Sequence, residues 1–374
     1  MPLQPRKAIA GLKTCAHGGV NYAELTALGV NPDNLLDFSV STNPFMPPPE
    51  IKEIMATAPI ERYPDSQSTL LRGKLAGKLG IDINNILAGN GTTELIRLIT
   101  MAYFRTGNTA LIIEPTYGEY ETACRLAGAR LLHYRAAEKS GFTPDIKYIT
   151  GIIQKKRPHA VFMCNPNNPT GLYLTRNDIE KVLEAAKDSL LILDEAYVPF
   201  VEKRWDALSL IGHGNIILLR SMTKDYGIPG LRLGYAAADR DIIDVLRAVM
   251  PPWNVNAVAQ QAGTYLLEND EYLEESLRKT REVAKFLKRE LAKLGFAVLP
   301  SDTHYFLVKV ANAAAFRRAL LAKGIMVRDC SSFGLPQYIR ISPRSLPDCR
   351  QLVAAFKDIK TNDSAVWEME ADRI

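Results

Sequence analysis

Cysteine is scarce and scattered. The five residues, at 15, 124, 164, 330 and 349 of a 374-residue chain, form no CxxC pair. Neither a disulfide framework nor a zinc site is suggested, so no metal is expected and a reduced, cytoplasmic setting fits best. No apolar run approaches the roughly 18 residues that a membrane-spanning helix needs. The opening MPLQPRKAIAGLKTCAHGG has no apolar stretch of the secretory-signal kind. A dense Lys/Arg tract with interleaved aromatics is missing too, and the formal net charge is only +5, which argues against nucleic acid as a partner. No solenoid-type repeat is visible.

What is present is the balance of a globular chain, 47% hydrophobic and 23% charged, long enough for two domains. From about residue 80, short apolar runs alternate with amphipathic stretches such as EYETACRLAGA and RNDIEKVLEAAKD. The runs are ALII (110–113), AVFMC (160–164), LLIL (190–193), IILL (216–219) and YAAA (235–238). Each is too short for a helix and is followed by turn or polar residues. The alternation predicts an α/β fold, a mostly parallel sheet covered by helices. The last third reads differently. A long charge-rich helical pattern over 268–294 precedes FAVLP, YFLVKV, the helix-like AAAFRRALLAKG, IMVRD and YIRIS, which suggests a smaller α+β domain. The expected division is an N-terminal arm belonging to the small domain (1–45), a large domain (46–265) and a C-terminal small domain (266–374). NPFMPPPE (43–50) reads as a linker or lid, and the acidic tail TNDSAVWEMEADRI as a short helix or frayed end.

Ligands of open parallel sheets bind beyond the carboxyl ends of the strands, and the unusual polar residues fall there. NPNNPTG follows AVFMC, DEAY follows LLIL, and RSMTK follows IILL. Taken singly, Asp194 could cap a helix, Asn168 could sit in a turn and Lys224 could be solvated. Three such residues at consecutive strand ends describe a site. A lysine in a water-poor, electropositive pocket is neutral and nucleophilic and can join an aldehyde. A buried Asp194 facing a pyridine nitrogen would keep that nitrogen protonated and make the ring an electron sink. Asn168 and Tyr197 could donate to a ring hydroxyl. GNGTTELI (89–96) is a helix N-terminus able to bind phosphate through Gly91, Thr92 and Thr93, with Arg232, Ser221 and Thr223 beside it. The ligand so described is pyridoxal 5'-phosphate.

The ordered set GNGTTE, PTY, NPNNPTG, DEAY and SMTK with an arginine eight residues beyond the lysine resembles the fold-type I aminotransferase family over residues from about 35 to 345. The resemblance implies Lys224 as the lysine that carries the cofactor, Asp194 as the ring-nitrogen partner and Tyr117 stacked on the ring. It implies Arg340 in YIRIS at a substrate carboxylate and Asn43 in STNP near the substrate. It implies Tyr63 in ERYPD at the phosphate of the neighbouring subunit's cofactor, hence a homodimer with shared sites. Within the family, the flanks HGGVNYAELTALGVNPDNLLDFSVSTNP, KDYGIPGLRLGY and VRDCSSFGLPQYIRIS resemble the threonine-phosphate decarboxylases. The HGG element, His17 and Gly18 included, and RDCSSF are the most telling. In chemical terms, His17, Arg328, Arg340 and Arg344 supply cations for a substrate phosphate and a carboxylate.

The expectation is therefore a lyase acting on O-phospho-L-threonine for cobalamin synthesis, with O-phosphoserine as an alternative substrate. The other reading is a histidinol-phosphate aminotransferase. The motifs themselves do not decide which bond at Cα stands perpendicular to the ring. A non-catalytic regulator is disfavoured by the intact Lys224 and Asp194 and by the lack of a helix-turn-helix segment before residue 35.

Overall fold

Leucine and β-branched residues buried on both sides build the central layer of the molecule. A computed structural model of the chain describes residues 3, 4, 6, 8, 9, 11, 12, 14–45 and 47–362; the acidic tail discussed above lies outside them from 363 onward. The sheet has seven strands: β1 (Ile86–Gly89), β2 (Thr109–Glu114), β3 (Arg130–Arg135), β4 (Ala160–Cys164), β5 (Leu190–Asp194), β6 (Ile216–Ser221) and β7 (Gly234–Ala238). Their order is β1-β7-β6-β5-β4-β2-β3. Every pairing from β6 to β3 is parallel, while β7 runs antiparallel to both its neighbours. Residues of β4 and β7 are buried throughout, as expected of strands covered by helices on both faces.

The five runs singled out in the sequence are all strands. Two strands escaped. ILAG is a four-residue strand with nothing to mark it off from a loop. RLLHYR is the edge strand β3, whose arginines face solvent, so its apolar content is diluted by charge.

A second core lies apart from this sheet. Strands β8 (Phe306–Lys309), β9 (Arg328–Asp329) and β10 (Tyr338–Ile341) form an antiparallel sheet in the order β9-β10-β8. Helices Asp270–Lys293, Ala313–Leu321 and Leu346–Asn362 supply its apolar partners, among them Leu287, Phe316, Leu352 and Phe356. Phe38 joins this core from the N-terminal side, next to a short parallel pairing of Leu36–Asp37 with Ile325–Met326. FAVLP forms no strand of its own; Val298 makes a lone antiparallel bridge to Val308. The Pro-rich stretch crosses between the two cores. Asn43 N–H donates to the Lys224 carbonyl at 2.7 Å and Tyr272 Oη donates to the Phe45 carbonyl at 2.7 Å. The lysine turn is thereby tied to this stretch, and the stretch to the helix Asp270–Lys293.

Candidate active site

The carboxyl ends of β4, β5 and β6 open onto a cavity of about 310 Å³, within the usual range for small-molecule sites. Ten of the predicted residues line it: His17, Gly18, Thr93, Tyr117, Asn168, Tyr197, Lys224, Arg232, Arg328 and Arg340. A larger groove runs past Arg220 and Asp225; it does not contain Lys224, which lines the smaller cavity.

Lys224 sits in a one-turn helix, Met222–Asp225, at the end of β6, which Ser221 caps by accepting from Thr223 N–H at 3.3 Å. Its Nζ makes no hydrogen bond or ion pair among the described residues. Burial, reinforced by Arg232 and Arg340, pulls its ammonium down to about 8, and Asp194 opposes the shift.

Asp194 is buried at the last position of β5. Its Oδ2 accepts from Tyr120 Oη at 2.7 Å and its Oδ1 from Ala196 N–H at 3.0 Å. Burial raises its carboxyl, and the two hydrogen bonds and Lys224 work against that. Tyr117 lies edge-on to Tyr120 at 5.6 Å and within 3.3 Å of the Thr93 hydroxyl; burial pushes its phenol up to about 12.

The end of the site beside Arg232 is built by the helix Gly91–Tyr103. Glu94 in its first turn accepts from Asn90 N–H at 2.7 Å and from Asn254 Nδ2 at 2.8 Å, suiting the positive end of the helix. Gly91 has φ +74°, and a Cβ there would stand 2.8 Å from Arg232 Nη2, so only glycine leaves the guanidinium its place. Arg232 itself is left-handed at φ 56°, a conformation costing a side chain about 1–3 kcal/mol and typical of functional turns. Ser221 and Thr223 share a 2.7 Å hydroxyl contact nearby. A cation at a helix N-terminus, a buried carboxylate and an unpaired amine fit the phosphate, ring nitrogen and aldehyde of pyridoxal 5'-phosphate.

The other end is cationic. Arg328 and Arg340 are cross-strand neighbours in β9 and β10, both buried. Like charges directly opposed in a sheet are unfavourable, yet neither pairs with a carboxylate among the described residues. Arg340 donates from Nη1 to Asn168 Oδ1 and from Nη2 to the Ser39 carbonyl at 2.8 Å; Arg328 donates to the carbonyls of His17 at 3.0 Å and Ala16 at 2.7 Å, and to Ser332 Oγ at 2.7 Å. Both Nε atoms are buried without a hydrogen-bond partner among the described residues. The arginines carry net positive charge into the cavity that only an anionic ligand relieves. Lysine at 340 keeps the charge but loses the fork. Losing one charged hydrogen bond, about 1.5–3 kcal/mol, lowers kcat/KM for a carboxylate substrate about 10- to 150-fold, checked by steady-state kinetics of R340K.

Eight predicted residues are not among those lining the cavity: Asp194, Gly91, Ser221 and Thr223, described above, and Asn43, Arg344, Tyr63 and Thr92. Asn43 is saturated: its Nδ2 donates to the Asp225 carbonyl and Ser276 Oγ, and its Oδ1 accepts from Phe45 N–H and Thr280 Oγ1. A side-chain amide with these partners inside the protein is a brace under the lysine turn. Arg344 pairs with Asp348 one helical turn on, at 3.1 Å. Tyr63 is 75% exposed and stacks on Trp253 at 4.2 Å. Thr92 packs its backbone against Gly234, where a Cβ would come within 3.1 Å of Thr92 N.

Sequence reasoning missed Tyr120, Glu119 and Ser39. Tyr120 and Glu119 fall in EYETACRLAGA and read as ordinary helix. The signal available was two polar side chains, a tyrosine and a glutamate, on the first turn after PTY. Glu119 is in fact buried and bonded to His17 Nε2 at 3.1 Å and Arg97 Nη2 at 3.3 Å.

The sequence matches the aminotransferase class I and II family over residues 33–356. The histidinol-phosphate aminotransferase of Thermoanaerobacter sp. is 34% identical over 312 residues, 83% of this chain and 87% of that one. Among solved structures, the L-threonine-O-3-phosphate decarboxylase of Porphyromonas gingivalis has a TM-score of 0.77 at 28% identity, covering 88% of this chain and all of its own. The histidinol-phosphate aminotransferase of Sinorhizobium meliloti, in complex with pyridoxal 5'-phosphate, has a TM-score of 0.84 at 22% identity, covering 95% and 97%; it speaks to the fold. Eight curated relatives, 28–34% identical, all bear the name histidinol-phosphate aminotransferase. They overturn the expectation of a phosphothreonine-specific lyase in cobalamin synthesis. The flanking stretches behind that expectation are short, and they supply cations for any phosphorylated amine rather than a geometry that selects one bond at Cα.

Proposed function

Because the chain belongs to the aminotransferase class I and II family and uses pyridoxal 5'-phosphate, we propose that it transfers the amino group of histidinol phosphate to 2-oxoglutarate. The observation that carries this reading is the buried pair Arg328 and Arg340 facing Lys224 across one cavity. A two-stage transfer must accept a phosphorylated amine and then a dicarboxylic acid in the same place. Two guanidinium groups with free Nε atoms suit both: one for a phosphate or distal carboxylate, the other for an α-carboxylate.

When bound, the cofactor supplies an aldehyde for amines and a protonated ring that draws electron density from the substrate's Cα. The residues do the rest. Arg232, Ser221 and the helix start at Gly91, Thr92 and Thr93 would hold the cofactor's phosphate. Asp194, oriented by Tyr120 and Ala196 N–H, would keep the ring nitrogen protonated. Asn168, whose Oδ1 is engaged by Arg340, has its amide N–H groups left for the ring hydroxyl, and Tyr197 would join it there. Tyr117 would pack against the ring. Lys224, its amine unpaired, moves the proton at Cα. Residues 16–18, tied to Arg328 through two carbonyls, cover the substrate side and exclude water. His17 and Gly18 stand at the entrance.

The dimer belongs to the same proposal. Tyr63 and Trp253 make a stacked aromatic pair on the surface, and the adjacent Asn254 is bonded to Glu94 of the phosphate-binding helix. Exposed aromatic pairs of this kind mark interfaces, and Tyr63 would reach the neighbour's phosphate. Mixing Y63A chains with K224A chains then restores activity above either alone, because each hybrid has one site with both residues. No restoration means that Tyr63 serves its own chain.

The reaction is tested by incubating the purified protein with histidinol phosphate and 2-oxoglutarate. Glutamate formation dependent on both is expected. Carbon dioxide released from a phosphorylated amino acid without any keto acid would overturn the reading.

A further inference from the structure

Two residues apart in sequence and over a hundred from their partner, Cys15, His17 and Glu119 meet at the entrance of the cavity. One ligand atom from each lies within 4.8 Å of the others. We propose that this trio binds a divalent ion of the zinc class and that its occupancy narrows the entrance to the active site. The set is sulfur, imidazole and carboxylate, which zinc accepts and calcium or magnesium do not.

The geometry is close to that of a bound ion. Zinc bonds of about 2.0–2.3 Å put tetrahedral ligands roughly 3.3–3.8 Å apart. His17 Nε2 and Glu119 Oε1 are already 3.1 Å apart, and with every ligand atom within 4.8 Å of the others the sulfur side needs a contraction of at most about 1.5 Å. Glu119 is oriented from behind by Arg97 on Oε2, leaving Oε1 for the ion, the outer-shell arrangement that strong sites use.

The arm is also pinned. Arg328 holds the carbonyls of Ala16 and His17, and Gly19 N–H donates to Ser39 Oγ at 2.9 Å. Gly118 makes room for the thiol: a Cβ there would stand 2.5 Å from Cys15 Sγ. Binding balances charge, since the ion's two positive charges meet the Glu119 carboxylate and a Cys15 thiolate, and the thiol proton leaves to solvent. The fourth coordination position is left for water or an anionic group.

Glu114, Glu121 and His133 form a second, more exposed set on the sheet edge, so the test uses H133A as the parent. Metal-free H133A protein is titrated with Zn2+ against a chromophoric chelator. One tight ion per chain is expected, weakened at least tenfold in C15S and in E119Q. With Co2+ the parent shows a thiolate charge-transfer band that C15S, with the parent's secondary-structure signal, lacks. Binding in C15S or in E119Q as tight as in the parent overturns the site. Zinc should also slow turnover of the parent and spare C15S; zinc-bound parent turning over at full rate overturns the narrowing of the entrance. The titration needs no substrate, so its outcome stands apart from the reaction assigned above, on which the turnover measurement rests.

Discussion

Replacing Lys224 by alanine lowers turnover about 10⁶-fold, the scale seen when a covalent nucleophile is removed. Yet the protein still binds cofactor. The two effects separate because the groups do. The groups proposed to hold the phosphate are Arg232, Ser221 and the Gly91 helix, none of which leans on the lysine side chain. What is lost is a cavity amine with no hydrogen bond of its own among the described residues. The variant's cofactor therefore absorbs as a free aldehyde instead of showing the yellow band of a lysine-bound one, and a small added amine restores part of the turnover. Activity near that of the parent would end the assignment. The same residue carries a pH signature. With its ammonium drawn down to about 8 from 10.5, about one Lys224 in ten is neutral at pH 7, against about one in 3,000 for a free lysine. In cofactor-free protein, the rate at which Lys224 combines with a small aldehyde should climb tenfold per pH unit up to about 8 and then level off. A climb continuing to 10.5 would place the amine in water.

The frame of this site could be read in the sequence because it is local. The strand-end residues Asn168, Asp194 and Lys224 each follow an apolar run, and a parallel sheet puts consecutive run-ends side by side. The glycine–threonine turn before a helix announces an anion site in the same way. What escaped was set by contacts between distant segments. Tyr120 reaches Asp194 across 74 positions. Glu119 meets His17 across 102, and Arg340 meets Ser39 across 301. No spacing rule covers such pairs. Asn43 shows the converse: an asparagine in the right segment, whose partners Ser276 and Thr280 come from a helix more than 230 residues away and consume its amide. The reaction type escaped for a different reason. Transamination and decarboxylation use the same lysine, the same carboxylate and the same cations, and differ in the rotation of a substrate that the residues only grip.

Substituting Asn for Asp194 keeps cofactor in place while turnover falls about 10²- to 10⁴-fold. Asp194 is buried, and its two oxygens already accept from Tyr120 Oη and Ala196 N–H. Burial alone pushes its carboxyl toward the neutral form. A cationic ring nitrogen reverses that preference, since an opposite charge favours the ionised acid. Carboxylate and ring thus stabilise each other's charged states. Removing one partner of a buried pair costs about 3–5 kcal/mol, and at about 1.4 kcal/mol per decade that gives the stated range. Asparagine preserves the volume and can still accept from Tyr120 Oη, but its amide N–H2 replaces the oxygen that accepts from Ala196 N–H, so retained cofactor and a parent-like secondary-structure signal are what separate lost charge from collapse of the pocket. The decisive control is a cofactor analogue whose ring nitrogen is permanently cationic. It should recover a large part of the D194N loss and do little for the parent. If the analogue fails while the variant still holds it, Asp194 is a structural anchor for Tyr120 and the end of β5, and the electron sink is maintained by some other group.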